Sequence, residues 1–249
     1  MTIQPFNLTH VLTITLIPVF IYLFFHITSR KYDDHAKRRM LLYVCYFNAL
    51  LYISYKIVQA IENGYDFGLS SNLPLHFCNL NLILLPLALH TKNKTLMAYQ
   101  LYFGVPLAAL ALVTIYPTFI SRPIWHFTPF VYFFYHSLLV VLPIMLVKFK
   151  LYTPSFKNIL QPTLLVFALT AVIHGINVIL RATGIASEAN YFFTYGLEGD
   201  FFTELLWRFI PYPFFFLLPA LLLFVPYVIL VTLPFYMKAK KAMPRSEPT

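Results

Sequence analysis

Charge is what this chain has least of. Only 11% of its 249 residues are Asp, Glu, Lys or Arg, against about 25% in an ordinary soluble domain, which excludes a conventional water-facing surface. Glycine is scarce at seven, and cysteine scarcer at two. Cys45 and Cys78 are too few for a disulfide framework. Carboxylates are missing from the long apolar runs, which disfavours proton-coupled transport, because intramembrane relays usually need an Asp or Glu. The last run, "PYPFFFLLPALLLFVPYVILVTLPFYM", has no Lys for a retinal Schiff base. No Lys or Arg precedes the first apolar run, which is about 20 residues long, whereas a secretory signal is positively charged first and shorter. That run is expected to be a spanning helix. No internal repeat supports a two-halved transporter plan.

What the chain has instead is apolar surface. Hydrophobic residues make up 59%, aromatics 18%, and the mean hydropathy is +0.71. Seven stretches, 8–29, 40–61, 73–90, 96–117, 128–149, 160–183 and 211–237, approach the roughly 20 residues that cross 30 Å of hydrocarbon. Prolines within these runs are tolerated where neighbours satisfy the freed carbonyls. The expectation is one all-α polytopic domain over 1–249 with seven transmembrane helices. Fourteen of the 18 Lys and Arg fall in the 30–39, 91–95 and 148–159 loops and the basic 238–249 tail, Arg122, Arg181 and Arg208 lie opposite, and Lys56 lies within a span. The positive-inside rule then puts the N-terminus outside and the C-terminus in the cytoplasm. The outer loop 185–210 contains "GDFFTELLWRFIP", with Asp200 at an N-cap position and Pro211 as a stop, the pattern of a short interfacial helix. The net charge of +9 suits anionic headgroups. It does not imply nucleic acid, because no recognition motif accompanies it.

The stretch "LPLHFCNLNLILLPLALH" at 73–90 carries His76, Cys78 and Asn79 near one end, and Asn72 and Pro74 are expected to begin its helix, with Cys78 in the first two turns. At about 1.5 Å of rise per residue His76, Cys78 and Asn79 lie roughly 5 to 9 Å below the outer face. On the same scale Lys56 lies about 7 Å deep, Asn177 about 9 Å, and His136 and His174 about 12 to 14 Å. Four spans thus place polar groups in the outer half of the membrane, where such groups are costly and usually face a bundle interior. Each has a bland reading as well. Lys56 can snorkel outward, His136 and His174 can hydrogen-bond across helices, and Asn79 and Asn177 can glue helices together. Cys45, near the inner face, is a small core residue too far from Cys78 to pair with it. Cys78 differs because a thiolate is a strong nucleophile once a base activates it, and bases pair with nucleophiles across space. His136 is the first candidate for that base. His76, about 200° around a regular helix from Cys78, is badly placed unless the helix entrance is irregular.

"LPLHFC" at 73–78, "YFG" at 102–104, "HSLLVV" at 136–141 and "NYFF" at 190–193 together resemble the YwaF-like family of multipass membrane proteins, which is related to animal transmembrane protein 164. The similarity runs from the second span to the seventh, and Phe77 stands where the family usually has Leu. The animal relative is regarded as an acyltransferase that moves fatty acyl chains between phospholipids. The resemblance therefore implies Cys78 as acyl-accepting nucleophile and His136 as base, membrane phospholipids as partners, no cofactor, and the plasma membrane of a bacterium. It names no protein partner. Asn79, Asn177 and Lys56 are candidates for stabilising the oxyanion, with His76 and His174 as supporting polar groups. Two other readings stay open. His76, His136 and His174 have the composition of a three-histidine zinc site, though no HxxxH or HExxH pair supports it. A seven-span receptor, transporter or lipid-binding scaffold would use the same polar cluster to hold a ligand.

Overall fold

The computed structural model describes residues 2–62, 64, 68, 73–115, 119–197 and 201–242, the side chains of 201, 202 and 242 excepted. Their regular structure is helical: α1 (Leu8–Thr28), α2 (Asp34–Glu62), α3 (Phe77–Thr91), α4 (Lys94–Tyr99), a π-helical segment (Gln100–Gly104), α5 (Val105–Val113), α6 (Phe127–Lys148), α7 (Leu160–Ala182), α8 (Phe201–Phe209) and α9 (Leu218–Ala242). Local chemistry sets several of the boundaries. Asn7 caps α1 by accepting from the His10 N–H at 2.8 Å, and Asn93 caps α4 by accepting from the Leu96 N–H at 3.0 Å. Lys92, between α3 and α4, sits in the left-handed region at φ 54° and turns the chain back on itself.

Six continuous stretches are long and apolar enough to cross a membrane: Leu8–Lys31, Asp34–Glu62, Lys94–Val113, Phe127–Lys148, Phe156–Ala182 and Phe215–Lys241. Their outer faces display Leu16, Phe20, Leu164, Val172, Leu222 and Leu230 to the surroundings, far more contiguous apolar surface than a water-soluble monomer shows. The core sits around α6, which packs on α1, α2, α3 and α5 and buries residues on all sides, as expected of a helix that is apolar all round.

The run 73–90, expected to be a spanning helix of its own, is helical only over Phe77–Thr91. At 1.5 Å per residue that helix is about 22 Å long, short of the roughly 30 Å of a hydrocarbon core. Pro74 is the cause: it disfavours a helical Leu73, and a tight turn in which the Leu75 N–H donates to the Leu73 carbonyl at 2.8 Å leads to His76, extended at φ −72° and ψ 153°. This non-helical piece is held by protein, with the Leu73 N–H donating to the Tyr191 hydroxyl at 2.9 Å. The ends of α2 fix where α3 lies. At one end Arg38 donates to the Leu89 and His90 carbonyls at 2.6 and 2.7 Å, so the start of α2 abuts the end of α3. At the other end Glu62 pairs with Arg122 at 2.7 Å, beside the N-terminus, whose Ile3 N–H donates to the Arg122 carbonyl at 3.0 Å.

The short helix expected in the 185–210 loop is present as α8. Asp200, its expected cap, and Asn72, an expected start signal for α3, lie outside the described residues.

Candidate functional site

Cys78 is the second residue of α3, in the turn whose backbone N–H groups lack partners within the helix. His76 is the N-cap and therefore lies off the helical repeat, so the irregular entrance that would free it from its 200° offset is present. The thiol is part-buried and in no disulfide. It packs against a cluster that contains Tyr52 and Tyr55 from α2 and Tyr132 and Tyr135 from α6, and it lies within electrostatic reach of Tyr52, Tyr99 and Tyr135. The Tyr135 ring lies 5.7 Å from that of Tyr52 and 6.0 Å from that of Tyr55.

His136 is attached to the same cluster. Its ring centroid is 4.0 Å from that of Tyr135 and 4.3 Å from that of Tyr132. Nδ1 is 2.9 Å from the Tyr132 carbonyl, and a carbonyl only accepts, so Nδ1 carries the proton and Nε2 keeps its lone pair. That is the tautomer a general base needs. Cys78 and His136 form no direct hydrogen bond with each other; both border the tyrosine cluster, in which the Tyr135 ring lies against His136 and within electrostatic reach of the thiol. Asn79, also buried, has its amide near the Tyr52 hydroxyl, outside hydrogen-bond geometry.

The remaining sequence-derived residues gather at a second place, on the connection between α7 and α8. Asn177 is fully buried, and both of its polar ends are occupied there: Nδ2 donates to the Tyr191 carbonyl at 2.7 Å and to the Thr194 hydroxyl at 2.9 Å, and Oδ1 accepts from the Tyr191 N–H at 2.9 Å. His174 meets the Thr194 hydroxyl through Nδ1 at 3.2 Å. Arg181 donates to the Ala189 carbonyl at 2.7 Å and lies over the Tyr195 ring at 4.1 Å. This clamped loop covers the entrance of α3. The His76 ring is 5.3 Å from Tyr191 and 5.5 Å from Phe193, and Phe77 stacks on Phe192 at 3.7 Å. Phe192 and Phe193 hold φ of 66° and 55°, a strained conformation for bulky residues that persists only when packing enforces it. Lys56 lies near His76 electrostatically and donates to Gln59 at 3.1 Å.

The three histidines thus have separate partners, and among the described residues no three His, Cys, Asp or Glu side chains gather closely enough to hold a metal ion. The three-histidine zinc arrangement is not formed. Sequence reasoning missed the tyrosines. A signal was present in the spacing: Asn48, Tyr52, Tyr55 and Lys56 on α2, and Thr128, Tyr132, Tyr135 and His136 on α6, each repeat at i, i+4, i+7 and i+8, which is one helix face.

Among the described residues, the hydroxyls of Tyr52 and Tyr99 are buried without a hydrogen-bond partner, at a cost of about 1–3 kcal/mol each. Another polar pair lies beneath. Gln100, in the π-helical segment, donates to Asn81 Oδ1 at 3.2 Å, and the pair fills the space over Gly104, where an added Cβ would meet Gln100 Oε1 at 3.0 Å and Asn81 Nδ2 at 3.2 Å. Such segments often mark functional regions within helices.

Apolar helices of membrane-spanning length around a part-buried thiol and a buried imidazole and tyrosine cluster define the class: an integral, multi-pass, all-helical membrane protein. The chain belongs to the TMEM164 family, which it matches over residues 5–231, a range that includes every residue of both clusters. The relation to transmembrane protein 164 expected from the motifs is borne out. Comparison with curated proteins and with solved structures gives no match.

Proposed function

We propose that this protein is a phospholipid acyltransferase, transacylase or acyl hydrolase that works within the membrane through Cys78 and His136. One observation carries the reading: a part-buried thiol in the first turn of α3 shares a tyrosine cluster with an imidazole whose Nε2 is left as the acceptor. The four motifs of the YwaF-like resemblance support it by meeting around α3. "NYFF" packs on "LPLHFC", "HSLLVV" begins at His136, and "YFG" ends at the glycine beneath Asn81.

In the first step His136 Nε2 takes the Cys78 proton and the sulfur bonds to the ester carbonyl carbon of a phospholipid. The tetrahedral intermediate then collapses: the ester C–O bond breaks, and the departing glyceryl oxygen takes the proton back from His136, leaving a lysophospholipid and an acyl-Cys78 thioester. In the second step a lysolipid hydroxyl or water gives its proton to His136 and attacks the thioester, and the thiolate leaves and is reprotonated.

The same reading has seven crossings, with α3 and its non-helical lead-in completing the seventh, the N-terminus outside and the C-terminus in the cytoplasm of a bacterial plasma membrane. Its support is that α3 starts beside the later part of α2 and ends beside the Arg38 end, and that seven crossings would gather the basic 30–39, 91–95 and 148–159 loops and the basic tail on one side.

The test is intact-mass analysis of the purified protein after incubation with phospholipid. Wild type is expected to gain an acyl-sized adduct that hydroxylamine removes, Cys78→Ala to gain none, and His136→Gln to acquire it about 10²–10⁴-fold more slowly. Equal release of lysolipid by wild type and Cys78→Ala, with no adduct, would falsify the nucleophile and favour a binding role for the cluster.

A further inference from the structure

The basic residues of this chain are spread over several helix ends, yet four of them line one cavity. It holds about 300 Å³ and lies where α1 ends, α2 begins and α6 ends. Arg30 comes from the turn after α1, Lys37 from the opening turn of α2, Lys148 from the end of α6 and Lys150 from the loop beyond it. The buried Phe149 also lines it, with Lys37 Nζ 6.0 Å from its ring centroid. Asp34 is the one carboxylate on the wall; its side chain is 77% exposed and meets Lys37 at 3.3 Å. Arg30 donates to His26 Nε2 at 3.3 Å. Among the described residues no carboxylate pairs with Lys148 or Lys150.

Helix chemistry accounts for only part of this arrangement. Arg30 and Lys148 suit the negative ends of α1 and α6, but Lys37 stands in the opening turn of α2, where the helix dipole disfavours a cation. Lys150 holds φ at 58°, just past a helix end, where glycine is the relaxed residue. The chain folds back there because the Leu151 and Tyr152 N–H groups both donate to the Leu146 carbonyl, at 2.9 and 3.2 Å. Four cations gathered around one space repel one another, and a shared anion relieves that repulsion.

The depth of the cavity follows from the helices that meet there: α1 and α6 are both of membrane-spanning length, and both end at it. On α1, Phe20, Phe24 and Ile27 are exposed and form one stripe at i, i+4 and i+7, which leads to the turn that carries Arg30. We infer that the cavity binds the phosphate of an anionic phospholipid whose acyl chains lie along that stripe. The four cations donate charge-assisted hydrogen bonds to the phosphate oxygens, and Ser29 adds a hydroxyl to the wall. A basic pocket between spanning helices is the arrangement that takes such headgroups. The cavity lies at the Arg38 end of α2, beside the last turn of α3, whereas Cys78 is in the first. The inference is therefore independent of the acyl-transfer reading.

The experiment titrates the full-length protein in detergent with phosphatidylglycerol or phosphatidylcholine, and native mass spectrometry reads the affinity of the first lipid bound. Wild type is expected to prefer phosphatidylglycerol. Lys148→Gln/Lys150→Gln is expected to bind it about 10- to 30-fold more weakly, and Lys92→Gln/Lys94→Gln, which removes the same charge from the turn between α3 and α4, to stay within about twofold of wild type. If the first pair does not fold, Arg30→Gln/Lys37→Gln removes the same charge from the other two walls and carries the same expectation. Equal weakening by cavity and control pairs would assign the attraction to diffuse basic charge, and equal affinity for the two lipids would remove the need for an anion. Displacement of phosphatidylglycerol by an equal concentration of sodium phosphate would assign the cavity to a soluble anion. Each of these three results overturns the inference.

Discussion

At the residue scale, depth in the membrane says where a polar side chain is and not what it does. Cys78, His136, Asn79, Lys56, His76, His174 and Asn177 were all legible in the sequence because polar groups are rare in these runs. Their division into two clusters was not. Asn177 belongs to structure: it clamps the Tyr191 backbone with two hydrogen bonds and Thr194 with a third. Asn177→Leu leaves buried backbone groups unpaired and is expected to cost about 2–3 kcal/mol, read as a lower melting temperature in detergent. Unchanged melting would mean that the loop holds without it. Tyr52 and Tyr99 were harder to see. Among 18 tyrosines, most reads of a membrane protein assign the residue to the interface, and only the packed structure shows which hydroxyls are buried and idle.

At the element scale the informative features are the start and end of α3 and the π-helical break. Pro74 was visible as a start signal, yet the helix begins at Phe77, because the residues before it form a tight turn tied to the α7–α8 loop rather than a first helical turn. The end of α3 is capped from another helix by Arg38, whose guanidinium satisfies two of the terminal carbonyls. Arg38→Ala is expected to destabilise the protein by about 1.5–3 kcal/mol, with faster hydrogen exchange at the last turn of α3; Arg38→Lys, lacking the planar fork, recovers only part. Gly104→Ala pushes a methyl group into the Asn81–Gln100 pair at 3.0 to 3.2 Å. The expected cost is about 1–3 kcal/mol, reduced in a Gly104→Ala/Gln100→Ala double variant that makes room. If the single variant melts like wild type, the helix has accommodated the methyl by shifting.

At the scale of the whole molecule the chain is a bundle organised on α6, and the crossing number decides which face each terminus meets. Single cysteines placed at Gln4 and Lys240, in a background lacking Cys45 and Cys78, are expected to differ toward an impermeant maleimide, the first reacting in intact cells and the second only after permeabilisation. Labelling from the same side would mean that α3 does not complete a crossing. By itself the sequence determined the solvent of this protein, the helical class and the positions of six long spans, and it singled out Cys78 and His136 as candidates, because apolar run length and a rare thiol are local properties of the chain. The tertiary structure alone decided that the run 73–90 is a short helix with a non-helical lead-in, that Asn177 and His174 serve a loop, and that Cys78 packs on a cluster containing Tyr52 and Tyr135. Those facts depend on which faces of α2, α3, α4 and α6 meet, and a pattern of apolar residues that is nearly continuous around each helix does not encode which faces turn toward one another.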